Sequence, residues 1–360
     1  MKHRTRRYAH RLGHGVANAR HSWSIREGLI LELETQTGLV GQGEAAPLPG
    51  HSVESLDEVE ASLNALRFER RLDDGFPGGA KEGISRYISE LEGRLPPSAA
   101  FAVETALFDL LGHHHRASVA DLLNAASSVE TGTATLVPRL SADDMRTIVR
   151  RASQEGTRTF KLKVGALGLD EDLALARMLR EIAGPYARIR LDGNQSIAPT
   201  DVGSWLDRSF GIDPEFFEEP TSLDGLEALE ESPVPLAIDE SLREPARALS
   251  LLDRSWLRAV VIKPMVLGGL LPALEIANIV RGQGLDVVVS HLFDGPVAHA
   301  AASCLALSVA SDEVDAGLGL HDALRAWPQA LYAHIDGAIV RRPEAAPFGL
   351  GLPRVFELLR

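Results

Sequence analysis

Five acidic or amine side chains close short apolar runs in the chain: Lys163 in "TFKLKV", Asp192 in "RIRLDGN", Glu218 in "EFFEEP", Asp239 in "PLAIDE" and Lys263 in "AVVIKP". Successive members are 29, 26, 21 and 24 residues apart. Three acids drawn together give an all-oxygen site for a hard divalent cation. Mg2+ suits such a site, with Mn2+ as a substitute, because it keeps positions for water and substrate; Ca2+ usually takes more ligands. Amines beside such an ion suit removal of a proton next to a carboxylate: the cation steadies the charge moving onto oxygen while a lysine takes the proton. Lys161 shares a strand face with Lys163. Two ammonium groups side by side mark either a solvated edge or a site, and the matched acids decide for a site. Repulsion from Lys161 is expected to lower the pKa of Lys163.

The elements that must position these groups follow from the same spacing. Between the apolar runs lie stretches of helical period, such as "DEDLALARMLREIA" and "LLPALEIANIVRGQG". Strands alternating with helices at this interval predict a parallel α/β barrel of the TIM type, (β/α)7–8, with the chemistry at the carboxyl ends of the strands. The eighth strand is expected near "VDAGLGL". An open doubly wound sheet would carry a Gly-rich phosphate loop, and "GQGEAAPLPG" leads into a proline turn instead. Strand patterns followed by helical ones before residue 98 predict an α+β capping domain, residues 1–97, to which 325–360 returns. The barrel domain then covers 98–324. Ser98 is expected to cap the helix "AAFAVETALFDLLGHHH".

Lys and Arg number 37 against 50 Asp and Glu, a net charge of −13, which argues against nucleic acid or an anionic membrane as partner. A small carboxylate substrate is compatible with a locally basic site. A single cysteine, Cys304, allows no internal disulfide, and with no membrane-length apolar run the chain reads as cytoplasmic. The basic start "MKHRTRRYAH" runs into a strand pattern rather than a signal core.

Taken together, "KLK", "LDGN", "FFEEP", "IDES" and "VIKP" resemble the enolase superfamily, muconate-lactonizing subgroup, across nearly the whole chain. "IDESLREP" and "AVVIKPMVLGG" are most similar to its o-succinylbenzoate synthase family. That resemblance implies a carbon–oxygen lyase of menaquinone biosynthesis. The reaction is the Mg-assisted syn-dehydration of 2-succinyl-6-hydroxy-2,4-cyclohexadiene-1-carboxylate through an enediolate. It implies Asp192, Glu218 and Asp239 as metal ligands, Lys163 as base, Lys263 as the cation over the opposite face, and Lys161 as an auxiliary cation that contacts the substrate carboxylate. The same Lys/Lys/Mg site would serve an N-succinylamino acid racemase or a dipeptide epimerase. Dipeptide epimerases of this type carry Asp-x-Asp on strand eight, where this chain has Gly317 in "DAG". Cycloisomerisation of a muconate-like acid is a weaker reading. A non-catalytic metal–carboxylate binder would have no use for opposed lysines.

Two departures from the family pattern are Gly193 after the first acid and His291 in "SHLFDG". Asn194 follows Asp192 at period two and is a candidate lining residue, as is His291. Asp294 reads as a cap or an acceptor, and Glu219 and Glu240 as ion-pair partners behind the ligands. His113–His115 read as an exposed helix end. Residues 13–24 resemble a mobile capping loop in which Arg20 and His21 could reach the ligand, and "APLPG" at 46–50 resembles a second one.

Overall fold

A computed structural model describes residues 1–67, 79–90, 95–138, 141–320 and 327–359, apart from the side chains of residues 13–16 and 80. Strands β1 (Lys2–Ala17), β2 (Ser22–Glu34) and β3 (Val40–Ala45) form an antiparallel sheet. Helices α1 (Leu56–Ala65) and α2 (Ala80–Ser89) follow. α1 starts at a capping box, in which Ser55 accepts from the Glu58 amide and the Glu58 side chain accepts from the Ser55 amide. The 13–24 segment is the end of β1, a turn and the start of β2. The basic first residues are therefore an edge strand whose arginines are occupied: Arg4 bonds Glu32, and Arg7 bonds Asp57 and Glu60.

Helix α3 (Pro97–His115) is buried from Ser98 to Gly112 except at Ala100, as its apolar composition on every side requires. It begins two residues earlier than expected. Pro96 holds the N-cap and Pro97 enters the first turn, where a missing N–H is harmless. Ser98 is consequently not the cap; its amide donates to Glu54 at 2.9 Å. The cap sheet rests on this helix through glycine. A Cβ on Gly43 would stand 1.9 Å from the Ala102 carbonyl oxygen, so only a bare backbone allows β3 to approach so closely. His114 and His115 are exposed at the helix end, while His113 lies 3.5 Å from Asp109.

The second part of the chain runs α4 (Val119–Leu123), β4 (Glu130–Gly132), β5 (Thr135–Val137), α5 (Ala142–Gln154), β6 (Thr159–Lys163), α6 (Leu169–Ala183), β7 (Arg188–Asp192), α7 (Val202–Ser209), β8 (Phe216–Glu218), α8 (Leu223–Glu227), β9 (Leu236–Ile238), α9 (Pro245–Ala248), β10 (Leu257–Ile262), α10 (Leu270–Gly282), β11 (Asp286–Val289) and α11 (Pro296–Ser308). β5 to β11 pair in sequence order as a seven-stranded sheet whose neighbours are all parallel. The fold is an α/β barrel with an α+β cap. The expected eighth strand is reduced to single bridges, Thr133 with Ala316 and Ser290 with Gly317, which join the two ends of the sheet. Gly317 and Gly319 explain its weakness, since glycine gains little from a ladder. Phe216, Ala237, Ala259, Val261, Val288 and Val314 form a separate buried cluster whose members alternate along the strands, so they fill the barrel interior.

β12 (Ile335–Asp336) pairs with β13 (Ile339–Arg341), and β13 pairs with β4. Beyond them the chain lies on the cap sheet: Val355 donates to Gln42 at 2.6 Å and Arg354 pairs with Glu32 at 3.0 Å. The expected domain boundary at 324/325 lies outside the described residues. Among the described residues no helix is long and apolar enough to cross a membrane.

Candidate active site

Register decides which strand-end groups meet. Lys163 is the partner of Asp192 across β6 and β7, and Asp192 is the partner of Glu218 across β7 and β8. Asp239 and Lys263 each stand one residue beyond their strands. The six groups named from the sequence therefore share one end of the barrel. Lys161 Nζ lies 2.9 Å from Asp192 and 2.7 Å from Glu218. Lys163 Nζ donates to Asp192 at 2.9 Å and to Asn194 Oδ1 at 2.7 Å. Lys263 donates to Asp239.

Burial and mutual charge set the protonation of this cluster. Burial lifts the Asp192 carboxyl, but the ammonium groups of Lys161 and Lys163 overcome it and hold the group well below its ordinary range. Glu218 is pushed up to about 7 by burial and by the charges of Asp192 and Asp239, against the pull of Lys161 and Lys263. Lys161 and Lys263 lose hydration, and the acids around them more than restore their charge. Burial and the Glu240 charge raise the Asp239 carboxyl against the pull of Lys263 and Lys161. Buried acids held up by burial and by each other's charge form a donor set that suits a divalent ion. Among the described residues no three His, Cys, Asp or Glu side chains are already gathered as a metal cage. Lysine ammonium groups neutralise the acids instead.

The turns after β7 and β8 are built for this purpose. Asn194, Gln195 and Glu219 all have positive φ, at 44°, 59° and 40°. Such non-glycine conformations are held by tertiary bonds: Gln195 donates from its amide to the Glu219 carbonyl at 2.8 Å and from its side chain to the Glu219 carboxylate at 2.8 Å. Gly193 has a local reason, since a Cβ there would come 2.8 Å from Pro220 Cα. The expectation of an ion pair at Glu219 is corrected. Its carboxylate accepts from the Asp239 amide, Ser241 and Gln195, and burial with the Glu240 charge lifts it to about 8. Glu240 accepts from Asn194 Nδ2 at 3.0 Å, which ties Asn194 to both Lys163 and the turn after β9.

One cavity opens over these groups, lined by Lys161, Lys163, Asp192, Asn194 and Lys263, with His291 and Phe293 on the β11 side. His291 lines the site and accepts from the Asp294 amide at 3.3 Å. Arg20 is exposed and is not among the lining residues; Asn18, two positions earlier, takes that place and accepts from the amides of Arg20 and His21. Trp23, Leu48 and His51 from the cap also line the cavity. Trp23 donates to the Pro49 carbonyl at 2.8 Å and so fastens one capping loop to the other. Asp294 is an acceptor, as expected, for the Leu292 amide at 3.3 Å and for Arg26 at 3.5 Å.

Comparison with known proteins agrees with this architecture. The family described as "Enolase C-terminal domain-like" matches residues 144–351, and "MenC, N-terminal domain" matches residues 2–110. An o-succinylbenzoate synthase of Thermosynechococcus vestitus is 28% identical over 311 residues, covering 84% of this chain and 87% of its own. An N-succinyl-L-Arg/Lys racemase of Bacillus cereus is 25% identical over 294 residues, covering 80% and 78%. The crystal structure of a dipeptide epimerase from Enterococcus faecalis V583, complexed with Mg and the dipeptide L-Leu-L-Tyr, superposes with a TM-score of 0.81 at 22% identity, covering 98% of this chain and 99% of that one. With one family pattern spanning more than half of its length and strand-end acids and lysines meeting at one end of the barrel, the chain belongs to the enolase superfamily.

Proposed function

We propose that the protein is an o-succinylbenzoate synthase, a dehydratase acting in menaquinone biosynthesis. The observation that carries this reading is the placement of Lys163 and Lys263, from β6 and the end of β10, on the wall of one cavity that also presents Asp192, with the buried acids Glu218 and Asp239 bonded to Lys161 and Lys263 of the same wall. Lys163, as the free amine, takes the proton α to the substrate carboxylate. The electron pair moves onto the carboxylate, giving the enediolate. It then returns through the ring to expel the neighbouring hydroxyl, which accepts the proton from Lys163 and leaves as water. The lysine is regenerated and the ring becomes aromatic. Lys263 remains an ammonium and opposes the developing charge. Lys161 helps keep Asp192 ionised and counters the upward push on Glu218. Asp192, Glu218 and Asp239 would hold Mg2+, taking up oxygens that Lys161 and Lys263 occupy here. When bound, such an ion supplies Lewis-acid stabilisation of charge on the carboxylate oxygens.

The cavity lining favours a substrate with two carboxylates over one with a free ammonium. Among the described residues it carries three lysines and a single carboxylate, Asp192, and the edge closed by the Ala316 and Gly317 bridges presents Gly317 and Gly319. A dipeptide ammonium would find no acid among those described edge residues. N-succinylamino acids are also dianionic, so racemisation by Lys163 and Lys263 on opposite faces is the second reading. Purified protein should convert the cyclohexadiene substrate with Mg2+ and lose that activity with chelator. Robust racemisation of N-succinyl amino acids with no dehydration would overturn the first reading.

A further inference from the structure

His51 is a buried polar residue with no task in the scheme above. It follows "APLPG" in the capping domain, on the turn between β3 and α1, and is 8% exposed. Its backbone is fixed at both ends: its amide donates to the Leu48 carbonyl at 2.9 Å, and its carbonyl accepts from Arg243 of the barrel at 3.3 Å. The turn is held from outside by the Trp23 bond to Pro49. The imidazole, by contrast, has no hydrogen-bond partner at either nitrogen among the described residues. The nearest carboxylate oxygen, on Glu240, is 3.7 Å from Nε2, beyond hydrogen-bond range.

A buried donor left without a partner costs about 1–3 kcal/mol, so it marks a place where a partner arrives. The ring lines the main cavity beside Lys163, Asn194 and Lys263. It also borders a smaller recess with Asp239, Glu240 and Lys263. Burial and the surrounding cations Lys263, Arg243 and Lys163 drive its pKa down to about 2, so it is a neutral ring with one N–H and one lone pair. Of the groups around it, Lys163 and Lys263 are cations, Asp239 is engaged by Lys263, Asn194 is bonded to Lys163 and Glu240, and Glu240, whose Oε2 is unpartnered among the described residues, holds its Oε1 out of hydrogen-bond range of the ring. The partner missing from this set is an acceptor oxygen on the Lys263 side, where the substrate carboxylate must lie to be polarised.

We propose that His51 is a substrate-contact residue whose N–H donates to an oxygen of the carboxylate flanking the carbon acid. Through it the capping domain takes part in stabilising the enediolate. This rests on the carbon-acid reading of the site and is independent of the choice between dehydration and racemisation. The rival is a structural role, in which His51 merely packs against Glu240.

The test uses the full-length protein with His51→Leu, which keeps the volume and removes both nitrogens, and His51→Gln, which can restore a donor. Steady-state kinetics are read alongside melting temperature. The expected result is a fall of about 10²-fold in kcat for His51→Leu, the loss typical of one oxyanion donor, with melting unchanged and part of the rate recovered by His51→Gln. The same fold-loss is expected for every acyl arm accepted, because the contact is to the shared carboxylate. A kcat within about threefold of wild type, a loss confined to one acyl arm, or a fall in melting temperature with normal kinetics would each overturn the assignment. An inactive wild type would overturn the functional reading itself, and the assignment with it.

Discussion

Glu44 is the point where the cap is fastened to the barrel, and removing it should loosen both. It sits on β3, fully buried, and its carboxylate accepts from the Tyr8 hydroxyl. It also accepts from the amides of Gly295, Val297 and Ala298 at 2.8, 3.0 and 3.0 Å. These amides are the unpaired N-terminal donors of α11, so a cap-domain acid completes a barrel helix. Glu44→Ala strands four buried donors; at about 1 kcal/mol each, the lower end for such groups, the loss is about 4 kcal/mol. In a chain of this size that lowers the melting temperature by about 5 °C when cap and barrel melt together. The loop before α11 carries His291 and the positive-φ residue Phe293, so turnover should fall as well.

The same residue predicts a pH signature. Burial pushes the Glu44 carboxyl up to about 7, against the bonds from Tyr8 and Ala298. A carboxyl raised on folding stabilises fully below its unfolded pKa of about 4.3 and loses that contribution as pH climbs through its folded value. Wild type should therefore lose about 3 kcal/mol more between pH 4.5 and 8 than Glu44→Gln, which cannot titrate. Calorimetric melts of the three proteins across that range, with kinetics at pH 7.5, are the assay. An alanine variant that melts within about 1 °C of wild type and keeps its activity would refute the fastening role.

Glu104, buried on α3, gives a related expectation. It accepts from the Leu271 amide at 2.7 Å, and burial lifts it to about 8 against the Leu271 and Leu270 amides. Stability tied to it is present at low pH and lost as pH rises toward 8, so Glu104→Gln should raise the urea midpoint at pH 8.5 and leave it little changed at pH 5. Lys161→Met removes the ammonium that Asp192 and Glu218 share and should destabilise the metal-free chain by about 3–5 kcal/mol. Millimolar Mg2+ should then raise its melting temperature more than that of wild type; an equal rise would show that the lysine and the ion do not compete for the same oxygens.

The barrel and its charged strand ends were legible because both follow from a regular repeat. A period near 25 residues sets the strand–helix unit, and the residue at the end of each strand must face the mouth. Lys163, Asp192 and Glu218 fall at equal height for that reason, as the β6–β7–β8 register shows. The cap contributions were less legible because loops have no period. Asn18 lines the site through a turn where Arg20 was expected, and His51 stands one residue beyond the quoted "APLPG". A lone histidine after a proline turn and before a capping-box helix was the available signal. Glu219 was read as an ion-pair partner from its type, whereas the positive φ that turns it toward Gln195 and Ser241 depends on tertiary bonds. Ser98 was displaced as a cap by the prolines in front of it, whose effect on the first turn is local and could have been weighed.

Calorimetric titration of the metal-free protein with Mg2+ bears most directly on the site. Wild type and Lys163→Ala should each take up one ion per chain, and Glu218→Gln should bind it at least tenfold more weakly. No binding by wild type at millimolar Mg2+, or equal binding by Glu218→Gln, would contradict a cation held by Asp192, Glu218 and Asp239.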